Sequence, residues 1–292
     1  MRYFDLHCDT MTTAYMKKIS MADTGLQASH SRRKVFSSYE QCFALWFNDE
    51  VHGEAVTATA KKILSFYENQ KAHFPSNLTP HFTIENGIAL GGKLDTLNYY
   101  KTQGLKMMTL TWNGENELGY GAKTNSEKGL KDFGKRVIEK MQEDKIIIDV
   151  SHLNEQGFED VYSNTSGSFV ASHSNCFSVH KHERNLRDWQ IKKLIQRQGL
   201  IGLCYYDTFL GDSKQTMENF HAHLMHIINL GGEDIVSCGS DFDGCEMGNQ
   251  IKNLADVPKL NEFLAQKGVS KEQREKLFYK NAKKVFNNIL LY

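Results

Sequence analysis

The sequence predicts a (β/α)8 barrel, and three observations carry that prediction. Eight short apolar runs alternate with longer amphipathic stretches along the whole chain, as βα units around a parallel sheet require. The 292 residues suit one such barrel, with 1–292 read as a single domain, because only three prolines occur and no proline- or serine-rich linker divides them. Polar residues able to hold a metal stand at the C-terminal ends of the apolar runs, where a barrel builds its active site. A doubly wound open sheet is the rival architecture. It is disfavoured because no GxGxxG or GxxxxGK(S/T) follows any run.

In chain order the expected strands are Tyr3–His7, Cys42–Phe47, His81–Ile84, Leu105–Thr111, Lys145–Ser151, Ser168–His173, Leu200–Tyr205 and Ile235–Ser240. Leu130, Phe133, Val137 and Met141 trace a helical stripe before the fifth. Phe220, Leu224, Ile227 and Ile228 trace another before the eighth, and Leu254, Val257, Leu260, Phe263 and Leu264 a third after it. Two short helices, around Lys271–Tyr279 and Ala282–Leu291, are expected to close the chain. Ala14–Ser38 is polar and without a period, and reads as a long loop after the first strand.

Lysine plus arginine number 35, as do aspartate plus glutamate, so the formal net charge is zero. That balance argues against a surface for nucleic acid or for an anionic membrane. The opening MRYFDLHCDT lacks the pattern of a signal peptide, and no apolar stretch reaches the ~18 residues that span a bilayer, so cytoplasm is the expected location. The six cysteines are scattered without a CxxC pair and read as free thiols.

The first run ends in FDLHCD. Alternation along a strand puts His7 and Asp9 on one face, with Cys8 pointing away. Glu85 closes the third run before the turn Asn86-Gly87, His152 follows the fifth and His173 ends the sixth. Each alone is as well read as a hydrogen-bonded or solvated side chain. Together, His7, Asp9, Glu85, His152 and His173 offer three imidazoles and two carboxylates, a set suited to Zn²⁺. Five ligands exceed what one catalytic zinc can use. They fit two zinc ions about 3.5–4 Å apart with a shared carboxylate and a bridging hydroxide.

The eighth run ends in GSDFDG. Asp241 is placed to act as general acid or base, and Asp243 either to do the same or to cap the turn. Arg184, in HKHERNL, has the forked geometry that grips a carboxylate or oxyanion, although a surface arginine fits the same pattern. The remaining histidines are weak candidates, and the role of His180 and His182, which flank Arg184, is open. His221, His223 and His226 read as partly exposed helix residues, and His30, His52, His73 and His81 as residues without partners.

The ordered series FDLHCD, TIENG, TLTWNGEN, DVSHL, ASHSN, ERNL and GSDFDG resembles the membrane-dipeptidase (renal dipeptidase) family of zinc peptidases, peptidase family M19. The resemblance implies a barrel with a two-zinc centre that hydrolyses dipeptides and tolerates a D-residue at the C-terminal position. It implies that His7 and Asp9 hold one metal, His152 and His173 the other, and that Glu85 bridges. It implies Arg184 at the substrate carboxylate or the tetrahedral intermediate, and Asp241 as the proton shuttle to the leaving amine. It also implies a homodimer. Many members carry a histidine where this chain has Trp112, so Trp112 and Asn113 become the expected substrate-binding residues of that segment. Tryptophan can donate one N–H but cannot become a cation. Two other readings stay open: another barrel amidohydrolase, lactonase or phosphoesterase, whose first motif is usually His-x-His, and a non-catalytic barrel that keeps metal for stability and binds peptide.

Overall fold

The structure, a computed structural model, describes residues 1–124 and 126–289. Its strands are β1 (Arg2–Cys8), β2 (Ser38–Trp46), β3 (Leu78–Glu85), β4 (Leu105–Thr109), β5 (Ile147–Asp149), β6 (Val170–Ala171), β7 (Leu200–Leu203) and β8 (Val236–Cys238). Each pairs in parallel with the next, and β8 returns to β1 through Cys238 and Asp5, closing the barrel. Inward residues Phe4, Leu6, Cys42, Met107, Ile147, Val170 and Leu200 pack into one apolar cluster. Residues that alternate with them, such as Tyr3, Phe43, Ile148 and Ile201, pack outward against the helices. Burial of each such side chain contributes about 1.5–3 kcal/mol.

One end of the barrel is plugged. Tyr279, Ala282, Val285 and Phe286 of the C-terminal helical segment join the inner cluster, and Phe286 meets Phe4 at 4.8 Å between ring centroids. Leu290 and Leu291 of the expected last helix lie outside the described residues. The other end, where the strands finish, is left to polar groups. There β5, β6 and β8 each stop two residues earlier than expected, because two buried aspartates take over backbone donors. Asp149 Oδ1 accepts from the N–H groups of Ser151 and Ser172 at 3.0 and 2.9 Å. Asp5 Oδ1 accepts from those of His7 and Ser240 at 3.3 and 2.8 Å. At the same place β1 bulges: Asp5 pairs with Gln41 but Cys8 with Phe43, three steps against two.

Four expectations need correction. The stretch Ala14–Ser38 is not one loop: a helix spans Thr10–Lys17, ending at Lys18 in the left-handed region (φ 56°), and a 3-10 turn spans His30–Val35. Its buried face is Thr10, Met11, Thr12 and Ala14, too small and polar to show a period. His223 is fully buried rather than exposed, its Nδ1 accepting from the Cys176 N–H at 3.0 Å and its Nε2 donating to the Leu210 carbonyl at 3.1 Å. His81 has a partner, Glu40, at 2.9 Å across the plugged end. His52 lies 3.4 Å from Glu117. No helix among the described residues is long and apolar enough to cross a membrane.

Candidate metal centre

All five proposed ligands converge at the open end of the barrel. The bulge in β1 does what simple alternation could not: after inward Leu6 it turns His7 inward as well, while Cys8 packs outward with the helix layer. His7 Nε2 lies 3.3 Å from both Asp9 Oδ2 and Glu85 Oε2. The other oxygen of the same carboxylate, Glu85 Oε1, lies 2.9 Å from His152 Nε2 and 3.5 Å from His173 Nε2. Glu85 thus faces two ligand sets, His7 with Asp9 and His152 with His173, and each set with Glu85 has its donor atoms within 4.8 Å of one another. Asp241 Oδ1 stands 3.8 Å from His7 Nε2, and His7, His173 and Asp241 make a third such group.

The tautomers can be assigned from the network. Thr109 and Ser172 hydroxyls donate to Asp149 Oδ2 at 2.5 and 2.6 Å, so Ser172 Oγ must accept the His173 Nδ1–H at 2.8 Å. His152 Nδ1 faces Asn113 Oδ1 at 3.0 Å and donates to it. Both Nε2 atoms therefore carry lone pairs, and they lie only 2.8 Å apart. His152 turns there with a left-handed backbone (φ 67°).

The electrostatics match. Burial, with Arg184 nearby, pushes His152 down to about 3. Burial and the neighbouring His7 hold His173 well below the usual histidine range. Burial alone would also depress His7, but Glu85 and Asp9 outweigh it and raise it well above that range. Burial and the Glu85 charge push Asp9 up to about 8. Burial would raise Glu85, yet the His7 charge above all, with the adjoining His152 and His173 rings, holds it well below the usual carboxylate range. Asp241 is raised, by burial first and then by Glu85.

The set fits divalent cations on two counts. Two uncharged imidazoles that aim lone pairs at one another and at a carboxylate repel unless a cation sits among them. Asp9 Oδ1 is buried with no hydrogen-bond partner among the described residues, an unmet acceptor beside the His7 side of Glu85.

A cavity of about 450 Å³ opens over these groups, within the size range of small-ligand sites. Trp112 lines it edge-on to Trp46, 5.3 Å between centroids. Asn113 also lines it, but its side-chain carbonyl is taken up by His152. Arg184 is buried rather than a surface residue: Nη2 donates to the His173 carbonyl at 3.2 Å and Nε has no hydrogen-bond partner among the described residues. Asp243 is a turn anchor, with Thr10 Oγ1 at 2.5 Å and the N–H groups of Gln27 and Ala28 at 2.7 and 3.2 Å. At Gly244 a Cβ would stand 2.2 Å from Asp9 Oδ2, which explains the glycine closing GSDFDG.

Several working residues were invisible in the linear pattern. Asp149 and Ser172 orient His173. Asn175 clamps both backbone groups of Cys204, at 2.9 and 3.2 Å, and the Cys204 thiol donates to Asp241 Oδ2 at 3.7 Å. Only the buried DVS and SHSN polar runs hinted at such roles.

A sequence model of the membrane dipeptidase family (peptidase family M19) matches residues 54–291. A dipeptidase of Schizosaccharomyces pombe is 30% identical over 178 residues, 59% of this chain and 42% of that protein, so the match spans less than half of the fungal chain. The fold is shared with the dipeptidase AC, a metallopeptidase of family M19, at a TM-score of 0.91 and 24% identity over 98% of both chains. It is shared too with a Rhodobacter sphaeroides metallopeptidase liganded with a phosphinate mimic of L-Ala-D-Ala, at 0.87 and 22% identity over 98% of this chain and 99% of that one. With the match covering most of its length and a metal-ready carboxylate-histidine centre at the mouth of its barrel, this chain belongs to the membrane dipeptidase family, the M19 metallo-dipeptidases.

Proposed function

We propose that this chain hydrolyses dipeptides, including L,D-dipeptides, at a two-zinc centre held by His7, Asp9, Glu85, His152 and His173. The observation that carries the reading is the divided carboxylate of Glu85, whose two oxygens face separate histidine sets. When bound, two such ions would supply a nucleophile that is deprotonated near neutral pH and positive charge at the scissile carbonyl. The protein does the rest. Asn113 and the Ser172–Asp149 pair keep both Nε2 atoms free of protons. Arg184, beside His173 and open to the cavity, meets the substrate carboxylate or the oxyanion. Asp241 receives a proton at its carboxylate and passes it to the leaving amine; burial raises it toward the range where such a group can both take and give one. Trp46 and Trp112 wall the cavity and limit water.

The Rhodobacter protein's bound mimic supports extending L,D-dipeptides to this chain. The test is zinc-reconstituted protein assayed on a dipeptide panel with L,L and L,D members, with phosphodiesters and lactones as controls. Two ions per chain and cleavage confined to dipeptides are expected. Metal without cleavage of any dipeptide, or faster turnover of a lactone or phosphodiester, overturns the reading.

A further inference from the structure

One wall of the cavity carries positive charge and hydrogen-bond donors that peptide-bond cleavage does not use. Residues 121–123 are clamped to the site: Gly121 N–H donates to the Gly114 carbonyl at 2.7 Å, Ala122 N–H to that of His152 at 2.6 Å, and Lys123 N–H to that of Asn113 at 3.2 Å. The approach is so close that a Cβ on Gly121 would stand 2.2 Å from the Trp112 carbonyl oxygen. Lys123 is thereby held at the cavity wall, exposed. No carboxylate among the described residues lies within ion-pair distance of it.

His182 lines the same cavity. Its Nδ1 accepts from the Arg184 N–H at 3.1 Å, so the ring proton sits on Nε2 and is available to a ligand. Glu183 is 3.8 Å from that nitrogen, beyond hydrogen-bond reach. Phe209 organises the wall, with the His182 ring at 4.8 Å and the Arg184 guanidinium at 5.2 Å from its centroid. Burial above all holds His182 below the usual histidine range; the Glu183 charge works against it, and the positive charges of Arg184 and Lys123 add to it. Of the acids that line the cavity, Asp9, Glu85 and Asp241 belong to the metal centre and Asp243 to its turn, while Glu246 is exposed and forms no ion pair with Lys123 or His182.

We propose that Lys123 and His182 form an anion subsite beside Arg184, selecting dipeptides whose C-terminal residue bears a side-chain carboxylate. The inference rests on the dipeptidase reading. A dipeptide's own α-carboxylate matches Arg184, and the side chain borne by that same residue is the nearest place from which a further negative charge could reach Lys123 and His182 beside it.

The test compares acids with their amide isosteres: Ala-Asp against Ala-Asn and Ala-Glu against Ala-Gln, each as L,L and L,D, on the zinc-loaded full chain. The wild type should favour the acid by about three- to tenfold in kcat/KM, the range between an exposed ion pair and a charged hydrogen bond, and mostly through KM. The preference should shrink as salt rises. Lys123→Gln should bring the acid-to-amide ratio toward one, His182→Leu should lower it, and Lys123→Glu should reverse it and favour Ala-Lys over Ala-Gln. A wild-type ratio of one with ready turnover of Ala-Ala overturns the subsite alone, as does a ratio untouched by Lys123→Gln. No turnover of any dipeptide overturns the dipeptidase reading and the subsite with it.

Discussion

Nε2 of His152 lies 2.8 Å from Nε2 of His173, and both face Glu85 Oε1. Neither nitrogen carries a proton, since each ring donates through Nδ1. Glu85 thus faces both ligand sets at once.

Glu85→Gln should therefore disturb metal binding more than any other carboxylate change. A neutral amide removes negative charge from both ligand sets and can present only one oxygen. The loss in affinity should exceed the ~10–100-fold typical of residues that merely support a ligand. Metal analysis after dialysis should find fewer than two ions per chain. Retention of both would show that Glu85 does not bridge.

Asp149→Asn probes the support behind His173. Asp149 Oδ2 can only accept, which forces the Ser172 hydroxyl to donate to it and to accept from His173 Nδ1. An amide nitrogen at that position would reverse the chain: Ser172 would donate to Nδ1, and the His173 proton would move to Nε2, where a ligand lone pair is needed. Zinc affinity should fall about 10–100-fold with the fold intact, measured by competition with a chromophoric chelator. Unchanged affinity would mean that His173 holds its tautomer by other means.

The ligands could be read from the chain because each stands just past an apolar run, where a barrel strand must surface. Other features depend on residues far apart in sequence and left no local mark. The bulge that turns His7 inward arises from Asp5 taking backbone donors of both β1 and the turn after β8. His223 becomes a buried structural residue only because Cys176 and Leu210 come to it. The helix at Thr10–Lys17 was hidden because its buried face is threonine, methionine and alanine rather than a stripe of large side chains. The expected ends of β5, β6 and β8 run two residues too far, because Asp149 and Asp5 take backbone donors there that a ladder would have used.

Asp241→Asn should leave metal content nearly intact and lower kcat by about 10²–10⁴, the range for loss of an acid–base group. If the substitution strips an ion, Asp241 is a ligand, as its place with His7 and His173 allows. Asp243→Asn is the contrasting variant. Its carboxylate ties Thr10 and the backbone of Gln27 and Ala28 to the turn after β8, so its loss should appear in stability, by about 1–3 kcal/mol, or several degrees in Tm. A larger effect of Asp243→Asn on kcat than on Tm would reverse the two roles.

The plugged end of the barrel should set part of the acid stability. Burial pushes the Glu40 carboxyl up, but hydrogen bonds from His81, Lys283 and Tyr279 outweigh it and bring it from 4.5 down to about 2. A depressed carboxylate stabilises the fold above its unfolded value, and that contribution disappears as pH falls from about 4.5 through about 2. With Lys283 partly exposed, the contribution is on the order of 1–3 kcal/mol. Glu40→Gln should lower Tm at neutral pH and flatten its decline between pH 5 and pH 2. Parallel Tm curves for the two proteins across that interval would show that Glu40 is not responsible.

Arg184→Lys distinguishes anchoring from transition-state stabilisation. The guanidinium donates to the His173 carbonyl at 3.2 Å while its buried Nε has no hydrogen-bond partner among the described residues. Lysine keeps the charge, but a single ammonium cannot hold that carbonyl and also present two parallel donors to a ligand. If the arginine only anchors the substrate carboxylate, KM should rise with kcat preserved. If it also meets the oxyanion, kcat and kcat/KM should fall together. The second outcome is expected, because Trp112 supplies no cation at the cavity and Lys123 stands exposed at its wall, leaving Arg184 as the buried positive charge beside His152 and His173. The loss in kcat/KM should be at least about 2 kcal/mol, the scale of one oxyanion donor. Zinc content should not change, since Arg184 touches His173 only through its backbone carbonyl. Near-native kcat on every cleaved dipeptide would assign Arg184 to positioning and leave the developing charge to other groups.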